Sequence, residues 1–398
     1  MLRKSVCSLR FFSSTVALPI TGQNFSFHKS WLRINCHCQD CKEPSSGQRI
    51  FNPWNLQKDS VLLSWKERQS SIEFEWQDDQ NKHAGVIPKD YLDETASQMM
   101  KVDNKDDLRA RRPSPLKEEI SQIDFSKYMN DDMCLVSALK ILVDDGVVII
   151  SDSDNEHSTV RDVINRICPL MPTLYGEVFE VKYDPNPINV AYSNVFLENH
   201  MDLIYYESPP GLQALHCYRR DSSIKGGDSL LLDVFAVAED FRVKHPDQFK
   251  ALCEIPATFQ KIHFNRESPA YMRYRRPHFV INHHKELTCV NWAPAFEGPL
   301  FSSDLNTIDR YYEAYNLFGR MLKESDLTIQ FRLSPGNVLI FNNRRLLHGR
   351  TAFSQTNSVR HLFGAYANID EFYRRYNALA VKYGLPVNYK RVGNQEST

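Results

Sequence analysis

Several things are scarce in this chain of 398 residues, and each scarcity excludes something. Net charge is nearly absent: 48 Lys and Arg against 49 Asp and Glu leave −1 at pH 7. Such a balance carries no electrostatic footprint for nucleic acid. No uninterrupted apolar stretch approaches the roughly 20 residues needed to span a bilayer as a helix. There is no internal repeat and no long low-complexity tract. Acidic side chains are missing altogether from the first 39 positions, which carry Arg3, Lys4, Arg10, Lys29 and Arg33. That is the composition of a mitochondrial transit peptide; a short unstructured start is the plainer alternative. Residues 1–14 are assigned to such a peptide, giving a mitochondrial location, or a cytoplasmic one without it.

Paired cysteine spacing is also lacking. Of nine cysteines, Cys7, Cys134, Cys168, Cys217, Cys253 and Cys289 are scattered, several in apolar runs where a buried free thiol is ordinary. Cys36, Cys38 and Cys41 are clustered. Three thiolates within six residues can wrap one tetrahedral Zn²⁺ with a fourth ligand from elsewhere. His37 lies inside the cluster and is constrained by its neighbours. His83 is the better fourth ligand, because a distant residue would staple a module closed. A site with four protein ligands is structural, since no position is left for substrate. The alternative is a reactive or incidental cysteine cluster.

What the chain does have is 42% hydrophobic and 12% aromatic residues, enough for a sizeable core. It also has His200 and Asp202 in Asn199-His-Met-Asp202, and a distal His348 in Leu347-His-Gly-Arg350. With 13 histidines, about one H-x-D triplet is expected by chance, so context must decide. Asn189 to Ser193 alternates like a strand; Pro209-Pro-Gly211 and Leu212 to Tyr218 follow as turn and strand. His348 comes after a turn at Pro335-Gly336 and an apolar strand. Two imidazoles and one carboxylate on one metal make the facial triad of non-heme Fe(II) oxygenases, with adjacent positions left open. Arg360 lies 12 residues beyond His348, and a fixed guanidinium can anchor a carboxylate by two parallel hydrogen bonds. A solvated His-Asp pair, a core histidine and a surface arginine are the bland readings of the same residues.

Breaks in the pattern divide the chain into a zinc-binding β module at 15–100, a charged, Pro-bearing linker at 101–120, a catalytic domain at 121–385 and a tail at 386–398. Helical spacing is expected over 158–170, 234–244 and 304–324. Strands dominate the motif-bearing regions. The expected fold is therefore mainly β with inserted helices: a double-stranded β-helix, or jelly-roll, behind a small zinc-stabilised N-terminal β module.

These motifs resemble a known family, that of γ-butyrobetaine dioxygenase and trimethyllysine dioxygenase, over nearly the whole chain from Trp31 to Tyr376. The resemblance rests on Trp31 to Cys41 with its C-x-C-x-x-C spacing, on Gly226-Gly-Asp-Ser229, on Asn342 to Arg350 and on Arg360 to Tyr366. The cysteine spacing is similar to the butyrobetaine branch; Ile34 stands where an Asp is usual. The resemblance implies Fe(II) on His200, Asp202 and His348. It implies 2-oxoglutarate on Arg360 with Leu215 and Ser229 nearby, zinc on Cys36, Cys38, Cys41 and His83, ascorbate as reductant, and a homodimer. It further implies hydroxylation of a small trimethylammonium substrate, with 2-oxoglutarate decarboxylated to succinate and CO₂. The substrate contacts it implies are Asn189, Tyr192 and Tyr366, with Phe179 where the butyrobetaine enzymes carry Trp. Leu203 replaces a Tyr that helps bind the substrate carboxylate, and Tyr205 or Tyr206 could compensate. The expected reaction is conversion of γ-butyrobetaine to L-carnitine. Its alternatives are trimethyllysine hydroxylation, a side-chain hydroxylase acting on protein, and a non-catalytic zinc-containing binding protein.

Overall fold

The computed structural model describes residues 14–20, 22–56, 60–78, 81–103, 116, 119–185, 190–265, 268–282, 285–354, 359–385 and 387. The start of the chain through residue 13, most of the linker, Asn189 and the end of the tail lie outside the described residues. Two compact units divide near residue 108. No helix is long and apolar enough to cross a membrane among the described residues.

The first unit is built on short β pairs. Thr15–Ile20 and Gln23–His28 form an antiparallel hairpin. Its turn is eased by Gly22, whose φ of 78° lies in the left-handed region that glycine enters at little cost. Val61–Glu67, Ser71–Asp78 and Asn81–Pro88 make a three-stranded antiparallel sheet. Alternation in the middle strand buries Ile72, Phe74 and Trp76 against Leu18, Phe27, Leu32 and Ile87. The helix Lys89–Asp103 runs three residues into the segment expected to be linker.

Two sheets carry the second unit. One has six strands, in the order Gln122–Asp124, Val147–Ser151, Val338–Asn342, Leu212–Arg220, Arg360–Ala367 and Val178–Lys182. The other has four, in the order Ile329–Phe331, Ser229–Asp233, Leu346–Arg350 and Leu197–His200. Val147, Ile149, Leu339, Phe341 and Leu362 of the larger sheet pack with Leu231 and Leu346 of the smaller. Their neighbours Val148, Ile150, Val338, Ile340 and Phe363 point the other way, onto helices Asp132–Asp144, Thr159–Asn165 and Ile369–Lys382. Both faces of the central strands are thus covered, which is why Val147 to Ile150 reads as a continuous apolar run rather than an alternating one. Behind the smaller sheet, Leu232 and Leu347 pack against helices Val234–Lys244, Pro246–Glu254 and Leu305–Lys323. The architecture is the expected jelly-roll with inserted helices.

One expectation fails. The segment up to Ser193 is not a strand: Val190–Tyr192 is a tight 3-10 turn. The cause is Arg350, whose guanidinium donates to the carbonyls of Ala191 at 2.9 Å, Ser193 at 2.8 Å and Val195 at 3.0 Å. Those carbonyls converge on one cation, an arrangement that a β ladder does not allow.

Two predictions follow from this packing. Gly226 has φ +76°, and a Cβ there would lie 2.0 Å from the Ala352 carbonyl oxygen. Gly226→Ala is expected to cost about 2–3 kcal/mol, read by chemical denaturation. Glu297 has its Oε1 buried without a partner. Burial pushes its carboxyl up to about 7, against an opposing hydrogen bond with Tyr315. A carboxyl raised in this way stabilises the fold below its unfolded pKa and loses that contribution as pH rises to about 7. Glu297→Gln is therefore expected to raise the melting temperature more at pH 8 than at pH 5.

Candidate active site

The cleft lies between the two sheets of the second unit and is set up by strand register. His348 stands directly opposite His200 on the neighbouring antiparallel strand. Side chains at paired positions share a face, so the two rings meet with centroids 4.3 Å apart. Asp202 follows where the Leu197–His200 strand ends. Its Oδ1 is 3.4 Å from His200 Nε2 and its Oδ2 is 3.7 Å from His348 Nε2. The three donor atoms lie within 4.8 Å of one another, and they could hold a metal ion.

Each ligand is prepared by its surroundings. His200 Nδ1 is 2.8 Å from the Glu198 carbonyl oxygen. A proton held there leaves Nε2 with its lone pair toward the metal position. His348 is pushed down to about 3, first by burial and then by the neighbouring His200, so it is neutral, the form able to ligate a metal. Burial would raise the Asp202 carboxyl, but the two imidazoles whenever they are charged, together with the Tyr366 hydroxyl, hold it far below the ordinary carboxylate range. The Asp202 amide donates to Asn343 Oδ1 at 2.9 Å, and Asn343 Nδ2 returns a bond to the Asp202 carbonyl at 3.1 Å. Leu203, next in the chain, is held at φ 55°, a left-handed conformation that costs a branched side chain about 1 kcal/mol or more.

The cleft encloses about 830 Å³ of space, its open mouth included. Leu215, Gln213 and Ser229 line it, as do Arg350, Arg360 and Leu362. Arg360 is 7% exposed and makes no ion pair among the described residues. The nearby Asp228 is already engaged by Arg220 at 3.1 Å and Arg332 at 2.9 Å. Burial first, and then Arg350, push the Arg360 guanidinium down to about 9. A buried cation of this kind is costly unless an anion pairs with it. Gly227 makes room for it: a Cβ there would press on Arg360 Cδ and Nε at 3.3 Å.

Aromatic rings form the remaining wall. Tyr175, Phe179, Tyr192, Phe296 and Tyr366 all face the cleft. Phe179 stacks on Tyr366 with centroids 4.9 Å apart, and this needs Gly364, where a Cβ would lie 2.2 Å from the Phe179 ring. Tyr205 does not line the cleft. It is buried behind it, with its hydroxyl 3.5 Å from that of Tyr175 and its ring 5.3 Å from Phe296. Tyr206 is also committed, its hydroxyl accepting from the Leu174 amide at 2.9 Å. Asn189 lies outside the described residues. Asn343, Gln213, Phe296 and Arg350 were not assigned roles from the sequence. Arg350 and Asn343 lie within the quoted 342–350 motif, which was the available signal; nothing local marks Phe296 or Gln213.

In the first unit, Cys36, Cys38, Cys41 and His83 converge. Their sulfurs stand 3.5, 3.7 and 3.6 Å from His83 Nε2. A tetrahedral zinc with ordinary Zn–S and Zn–N bonds would give S···N edges of about 3.6 Å. The four residues therefore fit the ion. Gly85 leaves space for the Cys36 sulfur, which a Cβ would crowd at 3.2 Å. Arg33 donates to the Cys41 sulfur at 3.4 Å while its Nε and Nη2 hold Asp78. His37 is turned away, its ring edge-on to Tyr91 with centroids 4.6 Å apart.

Known proteins agree with this geometry. Residues 110–366 match the family described as taurine catabolism dioxygenase TauD, TfdA, and the chain belongs to that family: it is a dioxygenase. Residues 18–92 match the N-terminal region described as gamma-butyrobetaine hydroxylase-like. A gamma-butyrobetaine dioxygenase of Pseudomonas sp. is 28% identical over 93% of this chain and 95% of its own length. A trimethyllysine dioxygenase of Meyerozyma guilliermondii is 25% identical, covering 90% and 92%. The gamma-butyrobetaine dioxygenase of Homo sapiens is 25% identical, covering 85% and 87%.

For the zinc cluster, Cys38→Ser is expected to drop zinc to well below one equivalent by elemental analysis. The melting temperature should fall with it, because structural zinc contributes folding free energy.

Proposed function

We propose that this dioxygenase uses Fe(II) and 2-oxoglutarate to hydroxylate γ-butyrobetaine to L-carnitine, with 2-oxoglutarate released as succinate and CO₂. The observation that carries the reading is the unpaired, buried Arg360 in the cleft that also holds His200, Asp202 and His348. The same cleft asks for a metal and for a carboxylate, and a 2-oxo diacid satisfies both.

When bound, Fe(II) supplies adjacent coordination positions at which a chelating 2-oxo acid and dioxygen can meet. The chain's own residues do the rest. Arg360 fixes the far carboxylate by a two-pronged hydrogen bond, which sets the reach of the co-substrate. Leu215 and Leu362 add apolar wall to the same cleft. The rings of Tyr175, Phe179, Tyr192 and Tyr366 present π faces, which attract a quaternary ammonium that has no N–H to donate. Among the described residues, no acidic side chain other than Asp202 lines the cleft. A trimethylammonium group would therefore be held by rings rather than by an ion pair. Zinc on Cys36, Cys38, Cys41 and His83 would hold the first unit's loop to its sheet. A mitochondrial location, motivated by the acid-free start and by relatives titled mitochondrial, and a homodimer belong to the same proposal.

The test is succinate release from 2-oxoglutarate with Fe(II), ascorbate and air, in parallel with γ-butyrobetaine, Nε-trimethyllysine, a peptide pool and no addition. Stimulation by γ-butyrobetaine alone is expected. Stimulation by trimethyllysine instead would move the chain to that reaction, and stimulation by peptide would make it a protein hydroxylase. His200→Ala is expected to abolish succinate release. Arg360→Lys, which keeps the charge and loses the planar fork, is expected to raise the KM for 2-oxoglutarate at least about tenfold. An unchanged KM would remove Arg360 from the co-substrate site.

A further inference from the structure

Tyr366 carries two features that no single role explains. Its ring lines the cleft and stacks on Phe179 at 4.9 Å. Its hydroxyl donates to Asp202 Oδ2 at 2.7 Å. The phenol is 2% exposed and arrives from the strand Arg360–Ala367 in the larger sheet, whereas Asp202 lies two residues past Leu197–His200, a strand of the smaller. A ring placed only to face a substrate has no need of a buried oxygen on the metal side. Phenylalanine would make the same wall.

Asp202 does need such a partner. It lies two residues beyond the end of a strand, so the sheet ladder does not fix its side chain. Asn343 clamps its backbone, through the 2.9 and 3.1 Å bonds to the amide and carbonyl, but that leaves the carboxylate free to turn about its last bond. Both carboxylate oxygens face an imidazole, at 3.4 and 3.7 Å. With Oδ2 taken by the phenol, Oδ1 is the oxygen left beside His200 Nε2. Outer partners of this kind orient a ligating group before the metal arrives, and removing one typically weakens metal binding about 10–100-fold.

We propose that Tyr366 is a positioning residue for the metal centre: its hydroxyl fixes the Asp202 carboxylate as a ligand, while the ring of the same side chain walls the substrate cleft. The proposal rests on the metal reading of His200, Asp202 and His348. It adds that the wall and the ligand are one rigid body, tied across the two sheets. Tyr366 is then not interchangeable with Phe even where the cleft would accept the ring.

Mn(II) titration of the full-length, zinc-loaded protein tests this, with free Mn(II) read by electron paramagnetic resonance. Four proteins are compared: the wild type, Tyr366→Phe, Phe179→Leu and His200→Ala. Tyr366→Phe is expected to raise the Mn(II) dissociation constant about 10–100-fold, with the metal-free protein keeping its circular dichroism spectrum. Phe179→Leu touches the same ring and not the oxygen, so it should leave the constant within about twofold of the wild type. His200→Ala should remove the site. Equal affinity in the wild type and Tyr366→Phe, with His200→Ala still defective, would overturn the proposal and leave the metal site standing. Equal loss in Phe179→Leu and Tyr366→Phe would overturn it too, by showing that packing and not the hydroxyl sets the affinity. Equal binding by all four proteins would overturn the metal site itself, and the role of Tyr366 with it.

Discussion

The pairing of Leu346–Arg350 with Leu197–His200 is the constraint on which the cleft depends. It places His348 against His200. A slip of one residue would turn His348 out of the cleft and Leu347 or Gly349 into it. The register is fixed from both sides: Leu346 packs in the cluster between the sheets, and Leu347 packs in the cluster behind the smaller sheet. Hydrophobic sorting of two leucines therefore sets the aim of a histidine. Next along the strand, Arg350 binds the carbonyls around the Val190–Tyr192 turn. One strand thus supplies a metal-ligand candidate and the brace for the loop that carries Tyr192.

The first unit solves a different problem by different means. Its core is small, with ten fully buried side chains in one cluster. Domains of that size are commonly reinforced by metal or disulfide. The cysteine-bearing loop is tied to the sheet by the His37 amide bonding to the Val86 carbonyl at 2.7 Å and by the convergence on His83. Arg33 brings a cation to the Cys41 sulfur and is itself balanced by Asp78. A cluster of thiolates repels itself, so a fixed positive group beside it lowers the cost of holding the sulfurs together.

Much of this was legible in the sequence, for identifiable reasons. Val147 to Ile150 and Val338 to Phe341 announce covered strands because both of their faces are apolar. His200, Asp202, His348 and Arg360 stood out because few residue types do their chemistry and their order was right. The Val190–Tyr192 turn was not legible, since its cause is an arginine more than 150 positions later. Tyr205 read as a substrate contact because its neighbour Leu203 left a gap to fill. The left-handed backbone at Leu203 and the Leu203 carbonyl accepting from the Tyr206 amide at 2.9 Å form a turn that sends Tyr205 behind the wall instead. Asn343 lies within the 342–350 motif, but its role was not legible there, because it consists of bonds to the Asp202 backbone that no side-chain pattern records.

The departures at Phe179 and Leu203 have unequal consequences for the cleft. Phe179 keeps an aromatic face, and its smaller ring still lies over Gly364 and against Tyr366. The attraction of a quaternary ammonium to a ring face is weaker for Phe than for Trp, but its sign is the same. Leu203 is different in kind, because the family resemblance implies a tyrosine hydroxyl there and a branched alkyl group cannot donate. Neither neighbouring tyrosine makes up the loss, since neither lines the cleft: Tyr205 is buried behind the wall, and the Tyr206 hydroxyl sits against the Leu174 amide. A trimethylammonium substrate of the proposed kind would still meet ring faces at its cationic end, and Leu203 is the lining position where a polar group is missing. Under the proposed function, Leu203→Tyr would therefore alter selection among trimethylammonium substrates more than Phe179→Trp would.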